Sequence, residues 1–488
     1  MGRMAISNRH LALAALVGAA LLALALGAFV AMAGTSETFA VLLPATVVGV
    51  IAVGTLRQLH RDSADALSPL GLTCLFYLMT FSLGAAYAAL ADDYFIWWIY
   101  SVDGMVTAMW LGAFGLVSLI VGYRANLLVL VTTWIPNLPR VRSDRAAAVV
   151  IALAAIGWLA RSQQFLTGSY FYNDSTREAL SASSGIVGVL GLLPVVAMAY
   201  FGARYYMAKR DGVRLRAMQW GFYALIAVEV AYNAPRGARA PFLSLLMAIV
   251  VLRYYGLRRR PPAALIALFV ALSVLVIFPV LFALRNADDS GRYQDNLAGS
   301  MTTAVASVFE KSPSNAVEVG ITATLERFSG ATSISAIIDC PCPSPRAPGE
   351  TVAWTVTSVL PRAVYPDKPT PALFGNEFGR YYDISYDSGI AMTQVGEMFM
   401  NFGWFGVGIG MLFVGAIYRW MSDFLRRRTS DPLTLAIYAT LAWTIINMQE
   451  TIVASGLLSA LKTLLVLTLL LFGIMAIRPG VRSVDETR

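Results

Sequence analysis

The chain has 488 residues, 57% of them hydrophobic and 14% charged, with a formal net charge of +8 at pH 7. That balance excludes a soluble globule; repeated apolar runs of about 20 residues parted by short charged connections describe an all-α polytopic membrane protein. The basic excess lies in the connections, so it reports orientation in a bilayer and not nucleic-acid binding.

Arg3 and Arg9 precede the first apolar run, residues 11–33. Ala31-Met32-Ala33 has the small-residue pattern of a signal-peptide cleavage site, but the run is long and a second follows at once, so it reads as an anchor. Further runs cover 39–56, 67–90, 104–122, 146–165, 184–203, 217–234, 240–256, 263–284, 396–418, 432–450 and 455–477, about 12 spans by length and hydropathy. The connections with Arg57/Arg61, Arg140/Arg142/Arg145, Lys209/Arg210/Arg214/Arg216, Arg258/Arg259/Arg260 and Arg426/Arg427/Arg428 alternate onto one side. Positive charge marks that side as cytoplasmic, with both termini there. The short apolar piece 127–135 reads as interfacial. The organisation expected is residues 1–284 with nine spans, an outer loop over 285–395, and 396–488 with three spans and a tail. The outer loop, about 110 residues, is long enough to expect a function for it. Its segments 296–310 and 314–328 have helical periodicity, a Pro-rich turn around Cys340 and Cys342 follows, and then an aromatic stretch runs from Trp354 to Tyr386.

Basic residues also collect on the outer face, where a bacterial membrane protein ordinarily avoids them. Among them are Arg161, Arg177, Arg236, Arg239, Arg285, Arg292, Arg362 and Lys368. Guanidinium forks match phosphate oxygens, so the set points to an anionic substrate. Tyr232-Asn233-Ala234-Pro235-Arg236-Gly237-Ala238-Arg239 makes a turn before a helix expected near Ala240, where free N–H groups and two arginines suit an anion; the same arginines also suit lipid headgroups. Glu229 lies inside a span and reads first as the partner of an arginine. In Pro361-Arg362-Ala363-Val364-Tyr365-Pro366-Asp367-Lys368-Pro369 the prolines fix the backbone around two free cations.

The only histidines are His10 and His60, both cytoplasmic in this topology, so no histidine base serves an outer-face site. A general base there is an Asp or Glu if one exists; Glu397, Asp383, Asp387 and Glu377 are candidates, with Glu397 and Asp383 taken as catalytic. Glu397 opens the span after the outer loop, at the expected membrane surface, where helix-dipole complementarity alone also accounts for it. No Cys/His metal site is expected, no cofactor is called for, and a Cys-Pro-Cys bridge looks too strained to form.

The chain resembles the Wzy-type oligosaccharide repeat-unit polymerases of O-antigen and exopolysaccharide assembly. The likeness covers about residues 165–415 and rests on Arg177, the Arg236-Gly-x-Arg239 turn, the large outer loop, the Pro361–Pro369 string, and Gly396-Glu397…Asn401-Phe402-Gly403-x-x-Gly406. The resemblance implies a GT-C-like, metal-independent glycosyltransferase of the inner membrane that moves a growing glycan from undecaprenyl diphosphate to a lipid-linked repeat unit at the periplasmic face. Arg177, Arg236, Arg239, Arg285, Arg292, Arg362 and Lys368 are then the expected diphosphate and substrate contacts. A flippase and a chain-length regulator of the same pathway are expected partners. The alternatives are an O-antigen ligase-like or other lipid-linked glycosyltransferase, disfavoured where a periplasmic histidine is usual, and a glycolipid flippase or exporter, disfavoured by the absence of repeat symmetry.

Overall fold

The computed structural model describes residues 36–61, 67–91, 101–125, 143–166, 190–233, 239–259, 330–340, 347–357, 392–426 and 431–456, with a few isolated positions. Every described regular element is a helix. In chain order they are α1 (Ser36–Arg61), α2 (Pro69–Tyr77), a π-helical turn (Leu78–Leu83), α3 (Gly84–Ala91), α4 (Val102–Ala125), α5 (Ser143–Leu166), α6 (Leu193–Arg210), α7 (Arg216–Asn233), α8 (Arg239–Leu257), α9 (Gly330–Asp339), α10 (Glu350–Thr357), α11 (Thr393–Arg426) and α12 (Pro432–Glu450). Among them are 5 stretches long and apolar enough to cross a bilayer, Glu37–Leu59, Pro69–Leu90, Val102–Ala125, Ala240–Leu257 and Thr393–Asp423, which makes this a helical membrane protein. Each coincides with an apolar run read from the sequence. The runs 11–33 and 263–284, most of 455–477, the interfacial piece 127–135 beyond residue 128, and the segments 296–310 and 314–328 lie outside the described residues.

The contacts divide the chain into two units whose parts are discontinuous in sequence. The first comprises 1–134, 267–426 and 444–458, and the second 135–266, 427–443 and 459–488.

In the first unit α4 packs against α1, α9 and, most extensively, α11. Glycines set these approaches. A Cβ at Gly122 of α4 would lie 1.9 Å from the Leu412 carbonyl oxygen of α11, and one at Gly415 would lie 2.0 Å from the Leu119 oxygen. Lipid offers no hydrophobic drive for helix pairing, so backbone proximity through small residues does that work. Tyr123 Oη donates to Ser422 Oγ at 3.0 Å across the same interface. The span Pro69–Leu90 starts with a Ser68 cap, whose Oγ accepts from the Gly71 N–H at 3.2 Å, and with Pro69 in the first turn. Its π-helical turn sets the Phe81 ring where a Cβ on Gly112 would meet it at 2.6 Å.

Two helices from the expected outer loop dock on this unit. Asp339, at the end of α9, accepts from the Ser101 N–H (3.0 Å) and Ser101 Oγ (2.7 Å) just ahead of α4. A carboxylate there complements the positive end of the α4 dipole. Cys340 is disulfide-bonded, against the expectation that strain keeps this loop unbridged, while Cys74 is free and buried.

In the second unit α6 is central and packs on α5, α7 and α8. It ends at a Gly212 with φ 76°, and the Val213 N–H bonds back to the Ala208 carbonyl at 2.8 Å, a left-handed glycine terminator. The helix runs on to Arg210, past the end at 203 read from hydropathy.

Candidate functional site

Helix α11 is two segments. Gly403 has φ 62° and ψ −153°, a conformation open only to glycine. The turn folds the first segment onto the second: a Cβ at Gly406 would meet the Met398 carbonyl at 2.4 Å, and one at Gly410 would meet Met398 Sδ at 2.5 Å. In an unbroken helix residues 398 and 410 would stand about 18 Å apart. The first segment, 393–402, is therefore a short helix packed against the membrane span that follows it.

That short helix carries Gln394, Glu397 and Asn401, spaced i, i+3, i+7 and so on one face. All three are buried, Gln394 at 1% and Glu397 at 0% exposure. Asn401 is fully engaged. Its Oδ1 accepts from the Gly349 N–H at 2.8 Å, and its Nδ2 donates to Thr351 Oγ1 at 2.7 Å and to the Glu397 carbonyl at 2.8 Å. These bonds fasten the start of α10 to α11. Glu397 is half engaged: Oε2 accepts from the Val453 N–H at 2.7 Å, the Thr351 hydroxyl that also holds Asn401 lies beside the carboxylate, and Oε1 has no hydrogen bond of good geometry. Gln394 is not engaged at all through its side chain, with both Nε2 and Oε1 unpartnered. Ala336 of α9, Trp354 of α10, Met392, and Ile452 and Ala454 beyond α12 form one buried apolar cluster, against which Met400 of the same short helix packs. Glu397 is thus enclosed within the protein, because α10 and residues 451–454 cover that end of α11.

The second unit holds a buried ion pair. Arg161 Nη1 of α5 lies 2.7 Å from Glu229 Oε1 of α7, with side chains 7% and 2% exposed. Arg161 Nε donates to the Gly191 carbonyl at 2.9 Å, and the guanidinium stacks 4.8 Å from the Trp158 ring and 4.4 Å from the Tyr232 ring. Asn233 Nδ2 donates to the Glu229 carbonyl at 2.8 Å. A buried pair stabilises little against an apolar replacement, but losing one partner strands a charge. The end of α5, the approach to α6 and the end of α7 therefore meet at one level. Arg239 begins α8.

Of the residues picked from sequence, Glu397 is placed with its side chain, and Arg239 by its backbone at the first position of α8. Arg177, Arg236, Arg285, Arg292, Arg362, Lys368 and Asp383 lie outside the described residues. Gln394 was not singled out and Asn401 only as a member of the Gly396–Gly406 string, although three polar side chains at helical spacing in an apolar run are a legible signal. Glu229 has an arginine partner, as its position within a span suggests; that the partner is Arg161, 68 residues away, has no sequence signal. Among the described residues no cluster of three or more His, Cys, Asp or Glu side chains is positioned to hold a metal ion. No family model, curated protein or solved structure matches the chain.

Proposed function

We propose that the protein is a polysaccharide polymerase of the Wzy type, with about twelve spans in a GT-C-like arrangement in the bacterial inner membrane, both termini cytoplasmic. It transfers a growing glycan from undecaprenyl diphosphate to a lipid-linked repeat unit at the periplasmic face. The observation that carries this reading is the Glu397 carboxylate, oriented through Oε2 by the Val453 N–H and left with Oε1 unpaired, inside the Gly396–Gly406 string on which the resemblance rests.

In the reaction the acceptor hydroxyl oxygen attacks the donor's anomeric carbon, the bond from that carbon to the phosphate oxygen breaks, and the diphosphate leaves with the electron pair. The hydroxyl proton passes to a base, for which Glu397 Oε1 is the first candidate and Asp383 the second. Arginines stabilise the charge that develops on the leaving group, a role for Arg177, Arg236, Arg239, Arg285, Arg292, Arg362 and Lys368.

The lipid-linked glycans of cells lacking the protein test the reading. A polymerase defect leaves single repeat units on the carrier, exposed to the periplasm. A ligase defect leaves long carrier-linked polymer, and a flippase defect leaves single units facing the cytoplasm; either result would reject the polymerase.

A further inference from the structure

The orphan groups at the start of α11 form a set with a chemistry of its own. Burying a polar group without a hydrogen bond is costly, and three unpaired atoms occur within one helical turn: Gln394 Nε2, Gln394 Oε1 and Glu397 Oε1. Residues three apart on a helix share a face, with Cβ atoms about 5–6 Å apart. Hydrogen-bond satisfaction falls steadily along this face, from Asn401 with every polar atom bonded to Gln394 with none bonded through its side chain. The deficit is local to the helix start, and it offers one amide donor group and two acceptors.

We propose that Gln394 and Glu397 together bind a hydroxyl group of the acceptor glycan, so that Gln394 is the substrate-binding residue that presents that hydroxyl to Glu397; the inference rests on the polymerase reading above. A hydroxyl is both donor and acceptor. Its O–H donates to Glu397 Oε1 while its oxygen accepts from Gln394 Nε2, which leaves Gln394 Oε1 for a neighbouring hydroxyl of the same sugar. A phosphate is repelled by the carboxylate. A cation would use the two acceptor oxygens and leave the amide N–H groups unpaired. The set is closed over by α10, which Asn401 holds through Gly349 and Thr351, and by the Val453 N–H on Glu397. Entry of the glycan therefore requires α10 to lift from that face. Buried water carries the same hydroxyl chemistry, and the experiment separates it from a sugar.

The test uses purified full-length protein in liposomes, with the lipid-linked repeat unit extracted from cells lacking the protein as its substrate. In Gln394→Leu an apolar side chain of similar size replaces the orphan amide. The expected result is an unchanged or raised Tm and a KM for the repeat unit raised about tenfold, the effect of one hydrogen bond, with a smaller fall in kcat. Glu397→Gln shows the opposite split, with kcat lost and KM little changed. Gln394→Leu with wild-type KM overturns the inference and assigns the amide to buried water. Should Gln394→Leu fail to fold, Gln394→Asn, whose amide falls one methylene short, carries the same expected rise in KM, and an unchanged KM there overturns the inference equally. Absence of polymer from the wild-type protein rejects the polymerase reading and this inference with it; polymer from wild type with an unaffected Gln394 variant rejects this inference alone.

Discussion

The crossing of α4 and α11 yields a quantitative prediction. A methyl group at Gly122 would sit 1.9 Å from the Leu412 carbonyl oxygen, and one at Gly415 would sit 2.0 Å from the Leu119 oxygen and 2.8 Å from the Tyr123 nitrogen. A carbon and a carbonyl oxygen come no closer than about 3.3 Å, so Gly122→Ala needs the two backbones to separate by roughly 1.4 Å. A gap of that size forfeits more than about half of the dispersion attraction between facing atoms. Neither obstacle is a flexible side-chain tip; both are helix backbone. Each single alanine variant should therefore cost about 1–3 kcal/mol, the range for overpacked sites. The two methyl groups demand the same separation, and once the helices have parted for one, the second is accommodated at little further cost. The double variant Gly122→Ala/Gly415→Ala should fall short of the sum of the singles by about 1 kcal/mol or more, within the range of coupled neighbours. Equilibrium unfolding in mixed micelles, followed by near-UV circular dichroism, measures all four species. Additivity to within about 0.5 kcal/mol, or singles that cost nothing, would refute this account of the interface.

Other consequences are simpler. Gly403→Ala should cost about 1–3 kcal/mol through backbone strain alone, because a Cβ there meets nothing within 4 Å; an unchanged Tm would deny the break in α11. Asn401→Ala removes the clamp on α10 and strands the Gly349 N–H, which should lower stability by about 1–3 kcal/mol and raise hydrogen exchange at residues 349–357 ahead of the rest of the unit. Asp211→Asn should leave Tm at neutral pH unchanged. The Arg210 guanidinium holds the Asp211 carboxyl below its ordinary value, so any contribution is present above the unfolded pKa and fades as pH falls through the folded one, but the pair is exposed and solvent-screened.

The five described spans were legible because they obey composition alone. An apolar run of the right length between charges has few other solutions in a bilayer, and Pro69 and Gly212 mark ends by backbone geometry that any reader of the sequence can use. Helix α6 shows where hydropathy stops being a guide. It continues through Arg204, Tyr205, Tyr206 and Lys209 to Arg210, long amphipathic side chains that lower the apolar average without ending a helix. The break at Gly403 went unread because glycine is common in membrane helices, and only the φ value distinguishes a packing glycine from a turning one. Glu397 was picked for its position and chemistry, but its burial depends on α10 and residues 451–454, which are far away along the chain. The Arg161–Glu229 pair has the same character: each residue is conspicuous alone, and their meeting is a product of the bundle.

The most direct test of the polymerase account is reconstitution. Purified protein in liposomes receives the lipid-linked repeat unit as its sole substrate, with a chelator present, and the lipid-linked products are separated by size. The account predicts a ladder of longer glycans on the carrier, abolished by Arg239→Ala and by Glu397→Gln in protein that keeps its fold. Transfer of the intact glycolipid across the bilayer with no lengthening of its glycan would contradict it.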